Sequence, residues 1–136
     1  MLEEGLLAGS STVGDFMVKD VVIAEPWQSV ASARQRMLAN SFSFLPIQHR
    51  GAWHVLSDHA VARYLRLSDH RKAALARSIE DACVGYGLKL QSVLVVGPQT
   101  SVTECLERTE PDDMRPLLVC DDAQRLLGIA TPFDLL

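Results

Sequence analysis

The sequence reads twice. Val13-Gly14-Asp15-Phe16-Met17 is echoed by Ile79-Glu80-Asp81-Ala82-Cys83, and each is followed by a β-branched run, Val21-Val22-Ile23 or Val93-Leu94-Val95-Val96. Each run meets a proline turn and a helix start, Pro26-Trp27-Gln28-Ser29-Val30 or Pro98-Gln99-Thr100-Ser101-Val102. Two similar segments of this length must each form the same supersecondary unit, so a repeat restricts the fold more tightly than local propensity does. Ser29 and Ser101 are placed to cap, and Ser101 with Glu104 makes a capping box. Val30, Ala33 and Met37, and Val102, Cys105 and Leu106, give each following helix an apolar stripe that is expected to be core. Short apolar strands with proline follow, Phe44–Ile47 and Arg115–Val119, then a polar turn and another strand, Trp53–Leu56 or Leu126–Ala130.

The order in each copy is strand, helix, strand, strand, helix, which makes an α+β fold. The divisions expected are a covering segment at 1–12, a first copy at 13–67, a connecting helix at 68–78 and a second copy at 79–136. The first copy closes with a helix from Asp58 to about Leu67, whereas the second stops after barely one turn at Leu136. One turn is unstable alone, so either the last element is cut short or Leu2, Leu6 and Leu7 of the first segment cover the exposed sheet. Ser68–Val84 is expected to be one helix, ended by Gly85-Tyr86-Gly87.

A hydrophobic fraction of 48% over 136 residues is that of a globular protein. No apolar run reaches the roughly 18 residues that span a bilayer, and Met1-Leu2-Glu3-Glu4 is acidic where a secretory signal is basic, so a cytoplasmic protein without membrane contact is expected. Cys83, Cys105 and Cys120 are too far apart for a zinc site and are expected to be reduced and mostly buried. A net charge of −4 argues against nucleic-acid binding. Locally, Arg63, Arg66, His70, Arg71, Lys72 and Arg77 form a basic run, while Glu104–Asp122 is mostly acidic.

The end of the chain carries the clearest chemistry. After the strand Gly128-Ile129-Ala130, Thr131 reads as an N-cap, Pro132 as the first helical residue and Asp134 as the acid of the first turn. Two readings are open: a plain cap, or a site in which free N–H groups, a hydroxyl and a carboxylate meet a ligand bearing phosphate and sugar hydroxyls.

In pattern, nearly the whole chain resembles the cystathionine-β-synthase (CBS) domain pair, or Bateman module. The positions that carry the resemblance are Val13/Asp15/Met17, Ile79/Asp81/Cys83, Pro26/Ser29/Val30, Pro98/Ser101/Val102, Pro46/Ile47, Pro116/Leu117 and Gly128/Thr131/Asp134. The resemblance implies two β-α-β-β-α copies about a pseudo-twofold axis, sheets packed together with helices outside, and pairing into a homodimer. It further implies a cleft between copies for AMP, ADP, ATP or S-adenosylmethionine, and an effector protein that senses the ligand. On that basis Asp134 would accept the two ribose hydroxyls and Thr131 would donate to a phosphate near Pro132. Val95, Val96 and the Arg115-Pro116-Leu117 backbone would wall the adenine, with Thr100 nearby. The first copy departs from the pattern: Ser57 takes the threonine position, but Ala60 replaces the aspartate and His54 the glycine. One adenosine site per chain is therefore expected at most.

No catalytic role is expected. P-loop, HExxH, GxSxG and complete GxGxxG motifs are missing, and Ser57-Asp58-His59 cannot form a relay because adjacent residues at a helix start point apart. His49, His54, His59 and His70 lack metal-ligand spacing, and Trp27 and Trp53 are expected in core or dimer contacts. A regulatory adenosine-binding module is the first expectation, and a ligand-free dimerisation or scaffold module the alternative.

Overall fold

The computed structural model describes residues 11–136, so all but the last two residues of the expected covering segment lie outside the described part. The described residues form two compact units, Val22–Ser92, and Val93–Leu136 together with residues 11–21.

In the first unit, β1 (Phe44–His49) and β2 (Ala52–Ser57) are an antiparallel hairpin in register from Phe44↔Ser57 to His49↔Ala52. Its two-residue turn puts Arg50 and Gly51 at φ 52° and 80°, the two positive values a type I′ hairpin demands. β3 (Gln91–Ser92) pairs with the far side of β2. On its other side β1 meets only a single parallel bridge, Ala24↔Ile47, which is why Pro46 is tolerated mid-strand; its carbonyl accepts from Ala24 N–H at 2.9 Å. The Val21–Ile23 run makes no strand of its own beyond that bridge.

α1 (Val30–Asn40) is capped by Ser29, whose hydroxyl accepts from Ser32 N–H at 3.0 Å, and ends at Ser41 in the left-handed region, φ 56°. α2 (Asp58–Arg66) is capped in the same way by Ser57. The expected helix Ser68–Val84 is instead two, α3 (Arg71–Ala76) and α4 (Ile79–Gly85). The break is tertiary in origin: Arg77 and Ser78 are extended, Ser78 bridges Ser29 and caps α4 through Asp81 N–H, and Arg77 O accepts from Val30 N–H. Val30, Ala33, Met37, Leu45, Ile47, Leu56, Val61, Tyr64 and Ile79 are among the side chains of one buried cluster.

The second unit has β4 (Val95–Val96) parallel to β5 (Leu117–Cys120), and β6 (Leu126–Ala130) antiparallel to β5. α5 (Val102–Glu107) is capped by Ser101, which accepts from Glu104 N–H at 3.1 Å, whereas the Glu104 carboxylate turns to Arg108. Leu106 is 46% exposed, so the expected apolar stripe reduces to Val102 and Cys105. Pro116 precedes its strand, unlike Pro46. The parallel bridges Ala24↔Ile47 and Val96↔Val119 make Leu118 the structural counterpart of Pro46, each lying the same distance along the chain from its capping serine, Ser101 or Ser29.

The opening element of each copy docks on the body of the other. Val13–Asp15 forms a 3₁₀ turn whose Val13 and Gly14 N–H groups donate to Thr100 and Pro98 carbonyls, and Val102 N–H donates to Ser11. At the equivalent places Ile79 and Glu80 donate to Gln28 and Pro26, and Val30 donates to Arg77. Val18 then pairs with Ile129 of β6, just as Gln91–Ser92 pairs with β2. The sequence repeat and the packing units are thus different divisions of the chain. Gly128 marks the docking: a Cβ there would stand 2.7 Å from Met17 Sδ and 2.8 Å from the Val18 carbonyl oxygen.

Cys105 and Cys120 are buried and Cys83 half-buried. Burial first, and the Glu80 carboxylate second, push the Cys83 thiol up to about 11, and burial raises the other two. Alkylation by iodoacetamide at about pH 8 should leave all three largely unmodified in the native protein and label all three in denaturant. Fast native labelling of any one, read by mass spectrometry, would contradict this.

Candidate functional site

β6 delivers its last residue, Ala130, fully buried, and the chain then turns outward. Residues 132–135 make a single turn rather than a regular helix, with Asp134, Leu135 and Leu136 N–H groups donating to Thr131, Pro132 and Phe133 carbonyls. Leu135, 9% exposed, pins this turn into the cluster of Val13, Val96, Cys105, Leu117 and Val119, while Pro132 and Phe133 stay exposed.

Thr131 and Asp134 face each other as a closed capping box. Asp134 Oδ2 accepts from Thr131 N–H at 2.9 Å and from its hydroxyl at 3.0 Å, and Asp134 N–H reaches Thr131 Oγ1 at 3.4 Å. A hydroxyl has one proton, and here Asp134 takes it. Donation from Thr131 to a phosphate therefore requires its side chain to turn away from Asp134, whereas Oδ1 accepts no hydrogen bond among the described residues and is available as it stands.

The other expected residues are placed as follows. Val96, Pro116 and Leu117 are buried, Val96 and Leu117 in the core cluster itself, and Val95 is half-buried beside Leu118. Thr100 lines a shallow cavity of about 470 Å³ with Gly97–Gln99 and the carboxylates Asp121 and Asp122, and neither Thr131 nor Asp134 is in its lining. Arg115 is half-buried and spent internally: its Nε and Nη2 donate to Asp113 Oδ1 and Oδ2 at 2.9 and 2.7 Å. The Arg115 guanidinium holds the Asp113 carboxyl below its ordinary 3.8. That depressed carboxyl contributes stability in full above about pH 4, and the contribution is lost as pH falls through the lowered value. Asp113→Asn should cost about 0.5–1 kcal/mol at neutral pH and remove that part of the acid-side loss, read by urea unfolding at neutral pH and at about pH 2.5.

In the first copy Ser57 caps α2 through Ala60 N–H at 3.0 Å, but Ala60 supplies no carboxylate, and His54 turns its ring to the Ala52 carbonyl. Trp27, expected in the core or a dimer contact, is 74% exposed in its turn. Two features escaped sequence reading. His49 of β1 bonds Glu80 of α4, a pairing across distant sequence. The outer faces of α1, α2 and α3 enclose a groove of about 520 Å³, which brings Leu38 to Arg66 and Arg71 of the basic run, residues far from it in the sequence. Among the described residues no group of three or more His, Cys, Asp or Glu could hold a metal ion, and no helix is long and apolar enough to cross a membrane.

Residues 89–136 match the family model of the CBS domain. Solved structures extend the likeness over the chain. Protein MJ1225 from Methanocaldococcus jannaschii is 19% identical with a TM-score of 0.75 over 96% of this chain, which spans half of that protein's length. CBSX2 in complex with AMP is 23% identical with a TM-score of 0.70, covering 92% of this chain and 93% of that one. The CBS domain pair of MJ0100, in complex with 5′-methylthioadenosine and S-adenosyl-L-methionine, is 19% identical with a TM-score of 0.67, covering 92% and 96%. No curated sequence is similar enough to this one to count as a relative. The architecture is that of the tandem CBS fold. Residues 89–136 are a CBS domain, and the chain as a whole carries the fold of a CBS domain pair.

Proposed function

We propose that the chain is a regulatory module that binds one adenosine-type ligand, AMP, ADP, ATP or S-adenosylmethionine, at the end of β6 and passes its occupancy to an effector protein. The observation that carries this reading is the Thr131–Asp134 box, with a carboxylate oxygen left open at the mouth of a turn. An ionised carboxylate only accepts, and two vicinal hydroxyls are the donors that suit it. Ligands of this class are bound in CBSX2 and in MJ0100, both of the same fold. Val95 and the backbone at Arg115–Leu117 would be the adenine's wall, since the Val96 and Leu117 side chains are taken up by the core. Pro132 would lend the turn its open N-terminal end, and Thr100 would stay peripheral.

A second reading, a ligand-free module that pairs with a second copy, is favoured by the self-satisfied hydroxyl of Thr131 and by Ala60 in the first copy. Isothermal titration with the four ligands separates the two. Saturable heat with any of them supports the regulatory reading, and flat titrations together with no nucleotide released on denaturing the purified protein leave the scaffold.

A further inference from the structure

We propose that the helical groove of the first unit is a binding site for a free single-chain aliphatic carboxylate, the anion of a medium- or long-chain fatty acid. The groove belongs to Val22–Ser92 and shares no lining residue with the Thr131–Asp134 box, so the proposal goes beyond the adenosine reading and does not depend on it. Its walls are stripes of helix. Along α2, Asp58, Val61, Ala62, Leu65 and Arg66 follow the i, i+3, i+4, i+7, i+8 spacing of one face and cover about 12 Å of helix axis. Met37 and Leu38 of α1 stand opposite, and α3 adds Arg71. The volume of about 520 Å³ is that of a small-molecule site, which spans about 300–1,000 Å³.

The lining fixes the chemistry of the occupant. Its apolar part is aliphatic: Met37, Val61 and Leu65 are buried on the floor, and among the described residues no aromatic ring, amide or hydroxyl side chain lines the groove to stack on a base or bond a sugar. Its polar part is cationic. Arg34, Arg66 and Arg71 have no ionic partner among the described residues. Arg66 and Arg71 flank the connection from α2 to α3, whereas the lone carboxylate, Asp58, stands at the other end of α2. A hydrocarbon chain gains by leaving water for such a floor, and a carboxylate head takes paired hydrogen bonds from a guanidinium. A bilayer is the poorer occupant, because insertion needs apolar side chains that protrude, and of the large ones here only Leu38, 65% exposed, does so.

Isothermal titration of the full chain with decanoate and dodecanoate, below their micellar concentrations, tests this. Saturable binding is expected, about three- to fourfold tighter for each CH₂ added and weaker as salt rises. Arg66→Glu/Arg71→Glu should weaken it by roughly tenfold or more. Ala62→Phe, a change at an exposed position of α2, should block it by filling the groove with no change of charge, and circular dichroism confirms that each variant is folded. Dodecyltrimethylammonium, which has the same chain and a cationic head, should not bind. No saturable heat with either carboxylate, equal affinity for the cationic amphiphile, or affinity indifferent to both variants overturns the proposal. Binding confined to phosphatidylglycerol vesicles overturns it in favour of a membrane contact. A dimer in sedimentation that Ala62→Phe dissociates and dodecanoate leaves intact overturns it in favour of a second copy in the groove.

Discussion

Gly128→Ala is expected to destabilise the protein by about 1–3 kcal/mol, although it adds one methyl group. The new Cβ would lie 2.7 Å from Met17 Sδ and 2.8 Å from the Val18 carbonyl oxygen, both far inside van der Waals contact. Met17 is a flexible side chain and can swing aside. The Val18 carbonyl cannot, because it accepts from Ile129 N–H at 3.0 Å while Val18 N–H donates to Ile129 O at 2.7 Å. Relief of the clash therefore breaks the pair of bonds that dock residues 13–18 on β6, each worth about 0.5–1.5 kcal/mol. Gly85→Ala is the matched control: nothing lies within 4 Å of its added Cβ and it ends α4, so the change should be neutral or stabilising by up to about 1 kcal/mol. Urea midpoints of the two variants should move in opposite directions or, for Gly85→Ala, not at all. Equal losses would mean that residues 17–18 do not approach Gly128 as described.

Asp134→Ala is expected to weaken adenosine-ligand binding by about 10- to 100-fold, the equivalent of one charge-assisted hydrogen bond of about 1.5–3 kcal/mol. Oδ1 is the open acceptor, and no neighbouring carboxylate replaces it in the capping box. The same change removes the acceptor of Thr131 N–H and should cost about 1 kcal/mol of stability as a lost cap. Thr131→Ala splits these effects. It deletes the hydroxyl but leaves Asp134 Oδ2 to the Thr131 position's N–H, so a phosphate role for the hydroxyl appears as reduced affinity for AMP without reduced affinity for adenosine. Titration of wild type and both variants reads the affinities, and thermal melts read the caps. Unaltered affinity in Asp134→Ala would place the sugar elsewhere.

What the sequence made legible was local. Ser29, Ser57 and Ser101 announce helix starts through a hydroxyl and the N–H three residues on, and each caps as its pattern implies. Thr131 and Asp134 pair for the same reason. What stayed hidden depends on partners distant in sequence. Nothing in Ser68–Val84 forbids one helix; the bridge from Ser29 to Ser78 divides it. Docking of residues 11–15 on 98–102 runs through backbone groups, which carry no side-chain signature. The equivalence of Pro46 with Pro116 failed because two prolines are a weaker alignment than two bridged strands. Leu106 has the spacing of a core residue, yet its counterpart in the first copy is Arg34, and both are exposed.

The exchange of opening elements also fixes an order of events during synthesis. Ile79, Ala82 and Leu88 belong to the core that the first copy surrounds, so that core stays open on the ribosome until the start of the second copy has emerged. Residues 11–18 wait longer still, since their partner Ile129 lies far downstream, in the last strand of the second copy. The nascent protein must therefore hold two unfinished hydrophobic faces at once, and the later of them closes only once β6 has emerged.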